Sequence, residues 1–148
     1  MLLHRGADPG GEQAFVAYLT HGGTLDGLTA FFLASPEYQH QGDGSAAGYV
    51  NRLYLAVLGR NADTGGLAYW LGRLAQGPVA GVVNDLLHSL EARQQEVQDQ
   101  FLQTLHRPAD LGGQNYFAQL LQTGVREEDV LLGILASDEF FRRASGQA

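Results

Sequence analysis

The chain has 148 residues, of which 45% are apolar and 17% charged, enough hydrophobic material for a folded core. Its formal charge is −7, with only 9 Lys and Arg scattered along it, which disfavours nucleic acid and an anionic bilayer as partners, because phosphate binding needs clustered cations. There is no cysteine, so disulfides, thiolate nucleophiles, iron–sulfur clusters and Cys-type zinc sites are excluded, and no run approaches the roughly 20 apolar residues of a membrane-spanning helix.

In chain order, Met1-Leu2-Leu3-His4-Arg5 lacks the apolar stretch of a signal peptide and reads as the last turn of a helix. The loop Arg5-Gly6-Ala7-Asp8-Pro9-Gly10-Gly11 follows, then a helix with Phe15 and Leu19, then one ending at Ser35-Pro36-Glu37-Tyr38. Residues 39–45 (Gln-His-Gln-Gly-Asp-Gly-Ser) form a polar, glycine-containing linker. From Tyr49 to Gly59, Val50, Leu53, Tyr54, Val57 and Leu58 fall at i, i+3, i+4, i+7 and i+8, which predicts an amphipathic helix. Arg60-Asn61-Ala62-Asp63-Thr64-Gly65-Gly66 leads into a helix with Leu67, Trp70, Leu71 and Leu74 on one face, and the next carries Val82, Val83, Leu86, Leu87 and Leu90. A helix from Gln94 to His106 keeps Val97, Phe101 and Leu105 on its apolar face. Beyond it come Arg107-Pro108-Ala109-Asp110-Leu111-Gly112-Gly113, a helix with Phe117 and Leu121, and a last one ending at Ser137-Asp138-Glu139-Phe140. No segment alternates apolar and polar residues as a strand would.

These elements are three copies of one unit. The three loops share R-x-A-D-x-G-G without a gap, an aromatic follows at a fixed offset (Phe15, Trp70, Phe117), and an S-x-E element closes each copy. The arginine-to-serine spacing is 30, 29 and 30 residues by subtraction. The expectation is an all-α helical repeat bundle of about eight helices in one domain, 1–148, built from A-B-C helix repeats at 1–41, 46–93 and 94–145, the first lacking helix A.

Each loop aspartate (Asp8, Asp63, Asp110) is suited to cap helix B, its carboxylate accepting unpaired N–H groups of the first turn. Pro9 fits the first helical position. The recurring Gly11, Gly66 and Gly113 imply a close approach of another helix to the backbone. Arg5, Arg60 and Arg107 end helix A, where a cation opposes the helix dipole and bonds the last carbonyls. They pair in sequence with Glu37, Glu91 and Glu139, which suggests bridges from the A–B loop to the end of helix C. Asn61 and Asp63 resemble the start of a calcium loop, but each loop offers one aspartate where calcium takes six to eight oxygens, so no cofactor is expected. The histidines have no metal-ligand spacing: His4 and His106 are replaced by Gly59 in the second copy. Tyr69 and Trp70, imaginable as a sugar platform, read as core at helical spacing. No nucleophile elbow, P-loop or dinucleotide fingerprint is present, and no enzymatic activity is expected.

The stretch from Tyr49-Val50-Asn51-Arg52-Leu53-Tyr54 through Leu58-Gly59-Arg60 to Gly65-Gly66-Leu67-Ala68-Tyr69-Trp70 resembles the bacterial family called domain of unknown function 4214. Ser35-Pro36-Glu37-Tyr38 and Ser137-Asp138-Glu139-Phe140 match that family's S-x-E-[YF] ending, whereas the second copy has Ser89-Leu90-Glu91-Ala92, and the first and third copies lack the G-L-x-Y-W wording. The resemblance implies an extracellular or envelope-associated accessory module, often found beside adhesion and calcium-binding repeats, and carries no catalytic residues; it is similar also to the helical domains of phycobilisome linkers, which serve assembly.

The expected function is therefore a non-catalytic structural or protein-interaction module, with calcium- or carbohydrate-dependent surface binding as the alternative. Stacked repeats leave adhesive end faces unless these are capped. A first copy without helix A predicts an exposed apolar face at Phe15, Val16, Leu28 and Phe32, covered by another subunit or a preceding segment, and hence self-association into an oligomer or filament.

Overall fold

The structure, a computed structural model, describes residues 9–137 and 142. It is all-helical, with nine helices and no strand among the described residues: α1 (Pro9–Thr20), α2 (Leu25–Leu33), α3 (Pro36–Gln39), α4 (Ala46–Leu58), α5 (Thr64–Gln76), α6 (Val79–Leu87), α7 (Leu90–Leu105), α8 (Leu111–Gln122) and α9 (Glu127–Leu135). None is long and apolar enough to cross a membrane. The chain divides into two compact units, Met1–Leu87 and His88–Ala148.

Short polar side chains set the helix starts. Thr24, Ser35, Ser45, Asp63, Ser89 and Asp110 each hold an extended backbone and accept an N–H three residues on, which satisfies one of the donors that a helix leaves unpaired at its first turn. α9 starts without such a bond at Arg126 but carries Glu127, Glu128 and Asp129 in its first turn, where negative charge meets the positive end of the helix dipole. α4 ends on Gly59 with φ of 66°, and α7 ends on His106 with φ of 50°. That explains the His/Gly exchange at this repeat position: it is a left-handed helix stop, which glycine adopts freely and other residues only rarely.

Two expectations are corrected here. The S-x-E element does not end helix C. Ser35 caps α3 and Ser89 caps α7, so Glu37 and Glu91 lie in the first turn of the following helix, and helix A of the third copy begins at Leu90, not at Gln94. The physical reason is that serine's hydroxyl competes well for the N–H groups of a new helix and adds little to an old one. Leu90, placed by its spacing on the helix C face, is accordingly 46% exposed at the head of α7. The ninth helix is the same element: in the first copy it folds as the separate turn α3, where the third copy runs straight on into α7.

In the first unit, α4 packs on α5 and α6, α2 on α6 and α3, and the core holds Leu33, Tyr38, Tyr49, Val50, Leu53, Tyr54, Trp70, Val82, Val83 and Leu86. Tyr49 donates its hydroxyl to the Leu33 carbonyl at 2.8 Å, and burial pushes its phenol far above the ordinary range. In the second unit, α7 lies on α8 and α9, burying Val97, Phe101, Leu105, Ala118, Leu121, Val130 and Ile134 together. Full burial of one such side chain contributes about 1.5–3 kcal/mol, so these few residues dominate the stability of a small unit.

Candidate functional site

The R-x-A-D-x-G-G loops of the second and third copies have the same construction, bond for bond. Asp63 accepts the Gly66 N–H at 2.7 Å, and Asp110 accepts the Gly113 N–H at 2.8 Å. The alanine N–H is held by a helix A amide side chain: Ala62 donates to Asn51 at 3.2 Å, and Ala109 to Gln98 at 2.8 Å. The guanidinium of Arg60 lies 5.1 Å from the centre of the Tyr54 ring and donates to the Asn61 carbonyl at 3.1 Å; that of Arg107 lies 5.3 Å from the Phe101 ring and donates to the Pro108 carbonyl at 2.8 Å. In these contacts the arginine caps the aromatic of helix A as a cation over a π face, a role its place at the helix end did not announce.

The second glycine of each pair faces that same aromatic. A Cβ on Gly66 would run into the Tyr54 hydroxyl, and one on Gly113 would lie 3.4 Å from the Phe101 ring edge. The loop is thus a helix start pressed against helix A. Arg60 also stands 3.8 Å from Asp63, both exposed. A bridge from Arg60 to Glu91 would join the two units and stays a sequence-based expectation. Arg5, Asp8 and Glu139 lie outside the described residues, and with them the Arg5/Glu37 and Arg107/Glu139 pairings and the first loop as a whole.

Trp70 is core, as its spacing predicts: it is 9% exposed, and its indole N–H donates to the Tyr54 hydroxyl at 3.0 Å. Tyr69 points out, 56% exposed, its ring edge-on to Trp70; Arg73 donates to its hydroxyl at 3.3 Å and pairs with Asp85. Sequence reading missed Arg93, which is 5% exposed with its guanidinium 2.9 Å from Glu96 and 3.8 Å from Glu127. A lone arginine on a polar helix gives no signal of burial, because its partner Glu127 lies on another helix.

Of the four residues expected to form an exposed apolar face, Phe15, Val16, Leu28 and Phe32, one is exposed. Val16 is 57% exposed, while Phe15, Leu28 and Phe32 are half-buried, Phe15 stacking on Phe32 with ring centres 4.6 Å apart. The structure adds Tyr18, Leu19, Leu25 and Phe31, all exposed. In repeat register, Val16, Leu19, Leu28 and Phe32 correspond to Ala118, Leu121, Val130 and Ile134, every one of which is buried under α7 in the second unit. Phe31 falls where the other copies have the exposed Asp85 and Gly133, and it too is exposed, at 64%. On α1, Val16 and Leu19 are therefore exposed where their counterparts Ala118 and Leu121 in α8 are buried.

Among the described residues no group of three His, Cys, Asp or Glu side chains is placed to hold a metal ion. The family model described as domain of unknown function (DUF4214) matches residues 29–96 and again 91–144, two adjacent matches in keeping with a repeated module, and the chain belongs to this family. No curated protein and no solved structure matches the chain.

Proposed function

We propose that this chain is a non-catalytic protein-interaction module, working without a cofactor in a bacterial extracellular or surface-associated protein and self-associating into an oligomer or filament. The observation that carries this reading is the open α1–α2 face, where Val16, Leu19, Leu25 and Phe31 are 57%, 38%, 52% and 64% exposed. A helix pair that exposes several large apolar side chains marks a contact site more often than it does so idly. Light scattering across a concentration series tests it. The mass should rise with concentration, and Phe31→Asp should hold it at the monomer. A parent chain that stays monomeric throughout removes self-association.

The competing reading is a calcium- or carbohydrate-dependent surface domain, supported by the exposed Tyr69 standing beside the Arg73–Asp85 pair, an aromatic face next to planar polar groups. A glycan array with and without calcium distinguishes the two, since sugar binding lost with Tyr69→Ala belongs to the second reading alone.

A further inference from the structure

The open face has a counterpart in the same chain that shows what covers it. In the second unit α8 is overlaid by α7 through a polar end and an apolar stripe. At the polar end Gln94 of α7 donates to Asn115 at 2.9 Å, and Gln114 donates to the Gln94 carbonyl at 3.3 Å. The stripe is Val97, Phe101 and Leu105, packed with Ala118, Leu121, Val130 and Ile134, and the Phe101 ring lies 5.9 Å from Phe117.

Shifted back by two repeats, from the third copy to the first, Gln114, Asn115 and Ala118 become Glu12, Gln13 and Val16 of α1. These three, with Ala17, border an open hollow of about 470 Å³. The hollow thus falls on the part of helix B that α7 covers in the other unit. The rings keep the same register, for Phe31 lies 6.0 Å from Phe15 just as the Cβ of a residue at Gly133 would lie 3.5 Å from Phe117. Helix B of the first copy is therefore laid out as a seat for a helix A, with an amide and a carboxylate at one end and apolar side chains along the rest.

We propose that the α1–α2 face docks an amphipathic helix of a partner chain carrying the pattern Gln-x2-Val-x3-aromatic, the pattern of Gln94, Val97 and Phe101. This rests on the interaction-module reading and names the partner's chemistry. Gln13 takes the part of Asn115 toward the partner's glutamine. Glu12, a carboxylate where α8 has the donor Gln114, cannot repeat the bond to the Gln94 carbonyl and instead favours a cation on the partner helix near that end. Val16 and Leu19 meet the partner's valine and aromatic, and Phe31 extends the apolar contact beyond what α8–α9 offers.

The test uses a fluorescent peptide of residues 90–107, stapled on its polar face so that helix formation does not limit binding, titrated with the full chain and read by anisotropy. Saturable binding is expected, weakened about ten-fold or more by Val16→Asp and measurably by Gln13→Leu, both at exposed positions on α1. Circular dichroism checks that each variant keeps its helices. Binding unaffected by either substitution overturns the proposal, because the peptide then sits elsewhere. No binding by the peptide, while the chain still self-associates in a Phe31-dependent way, overturns the helix as occupant and leaves the interaction-module reading standing as face-to-face pairing. No peptide binding together with a strictly monomeric chain overturns both.

Discussion

At the corner between α4 and α5, Trp70 donates its indole N–H to the Tyr54 hydroxyl at 3.0 Å; at the corner between α7 and α8 the same positions hold Phe101 and Phe117, with ring centres 5.9 Å apart and no hydrogen bond to make. Around these different interiors the backbone construction is unchanged: the aspartate cap, the amide on the alanine N–H and the arginine over the ring recur in both. In these two corners the loop keeps its outline while its filling differs as a pair, hydroxyl with indole in one and two phenyl rings in the other. A buried hydroxyl or indole N–H left without its partner costs far more than a pair of phenyl rings, so the two positions change together.

The sharpest way to break this comparison is to put a methyl group on the second glycine of each loop. At Gly66 it would collide with the Tyr54 hydroxyl, which is buried and already bonded to Trp70 and so has no room to yield. Gly66→Ala should destabilise by about 1–3 kcal/mol, the usual penalty for overpacking. At Gly113 the added carbon would lie 3.4 Å from the Phe101 ring, an ordinary contact, so the gain in helix propensity prevails and Gly113→Ala should be neutral or stabilising by up to about 1 kcal/mol. Urea unfolding of the two variants reads the difference. Equal losses at both sites would mean that the glycines serve the turn itself and not the approach of the aromatic.

A smaller effect tests the filling directly. Tyr54→Phe leaves the Trp70 N–H buried without its acceptor and should cost about 1–2 kcal/mol. Adding Trp70→Phe recreates the α7–α8 corner, and the double variant should lose less than the two single losses combined by on the order of 1 kcal/mol. Additive losses in the urea series would show that hydroxyl and indole contribute independently and that the correlated exchange has another cause.

Much of this was legible in the sequence because it is local. The three gapless loops, the aspartate before the double glycine and the i, i+3, i+4 spacing of Val50, Leu53 and Tyr54 fix helix starts and faces without knowledge of distant contacts. What escaped depends on partners far along the chain. Arg60 over Tyr54 looks the same in sequence as any arginine at a helix end, and Arg93 reads as solvent-facing until Glu127 is brought beside it. The S-x-E element was misplaced for a different reason: a serine between two helical patterns can close one or open the next, and only the Ala92 N–H on Ser89 decides it. Of the face expected at Phe15, Val16, Leu28 and Phe32 only Val16 is exposed, and the exposure of Phe31 had no signal in the repeat pattern.

The same local logic yields the smallest effect, at the entrances of the two helix A segments. α7 starts on Ser89 directly after the preceding helix, whereas α4 follows a linker in which Asp43 accepts both the Ser45 N–H at 3.0 Å and the Ser45 hydroxyl at 2.8 Å, fixing the hydroxyl that in turn accepts the Gly48 N–H at 2.9 Å. These bonds from Ser45, backbone first, hold the Asp43 carboxyl below its ordinary value, so the folded state favours the ionised form. A carboxyl depressed on folding contributes stability that is complete above its unfolded value of about 3.9 and is lost as pH falls through the lower folded value. The window is therefore acid, below about pH 4. Because Asp43 is fully exposed, the effect should show as local fraying of the first turn of α4 and not as global unfolding. Hydrogen exchange at the Gly48 and Tyr49 amides should quicken relative to the rest of α4 as pH is lowered through this window, after correction for intrinsic rates. Asp43→Asn should show the quickened exchange already at neutral pH and little further change in acid. An Asn variant whose Gly48 amide follows the same acid profile as the parent would place the titrating group elsewhere.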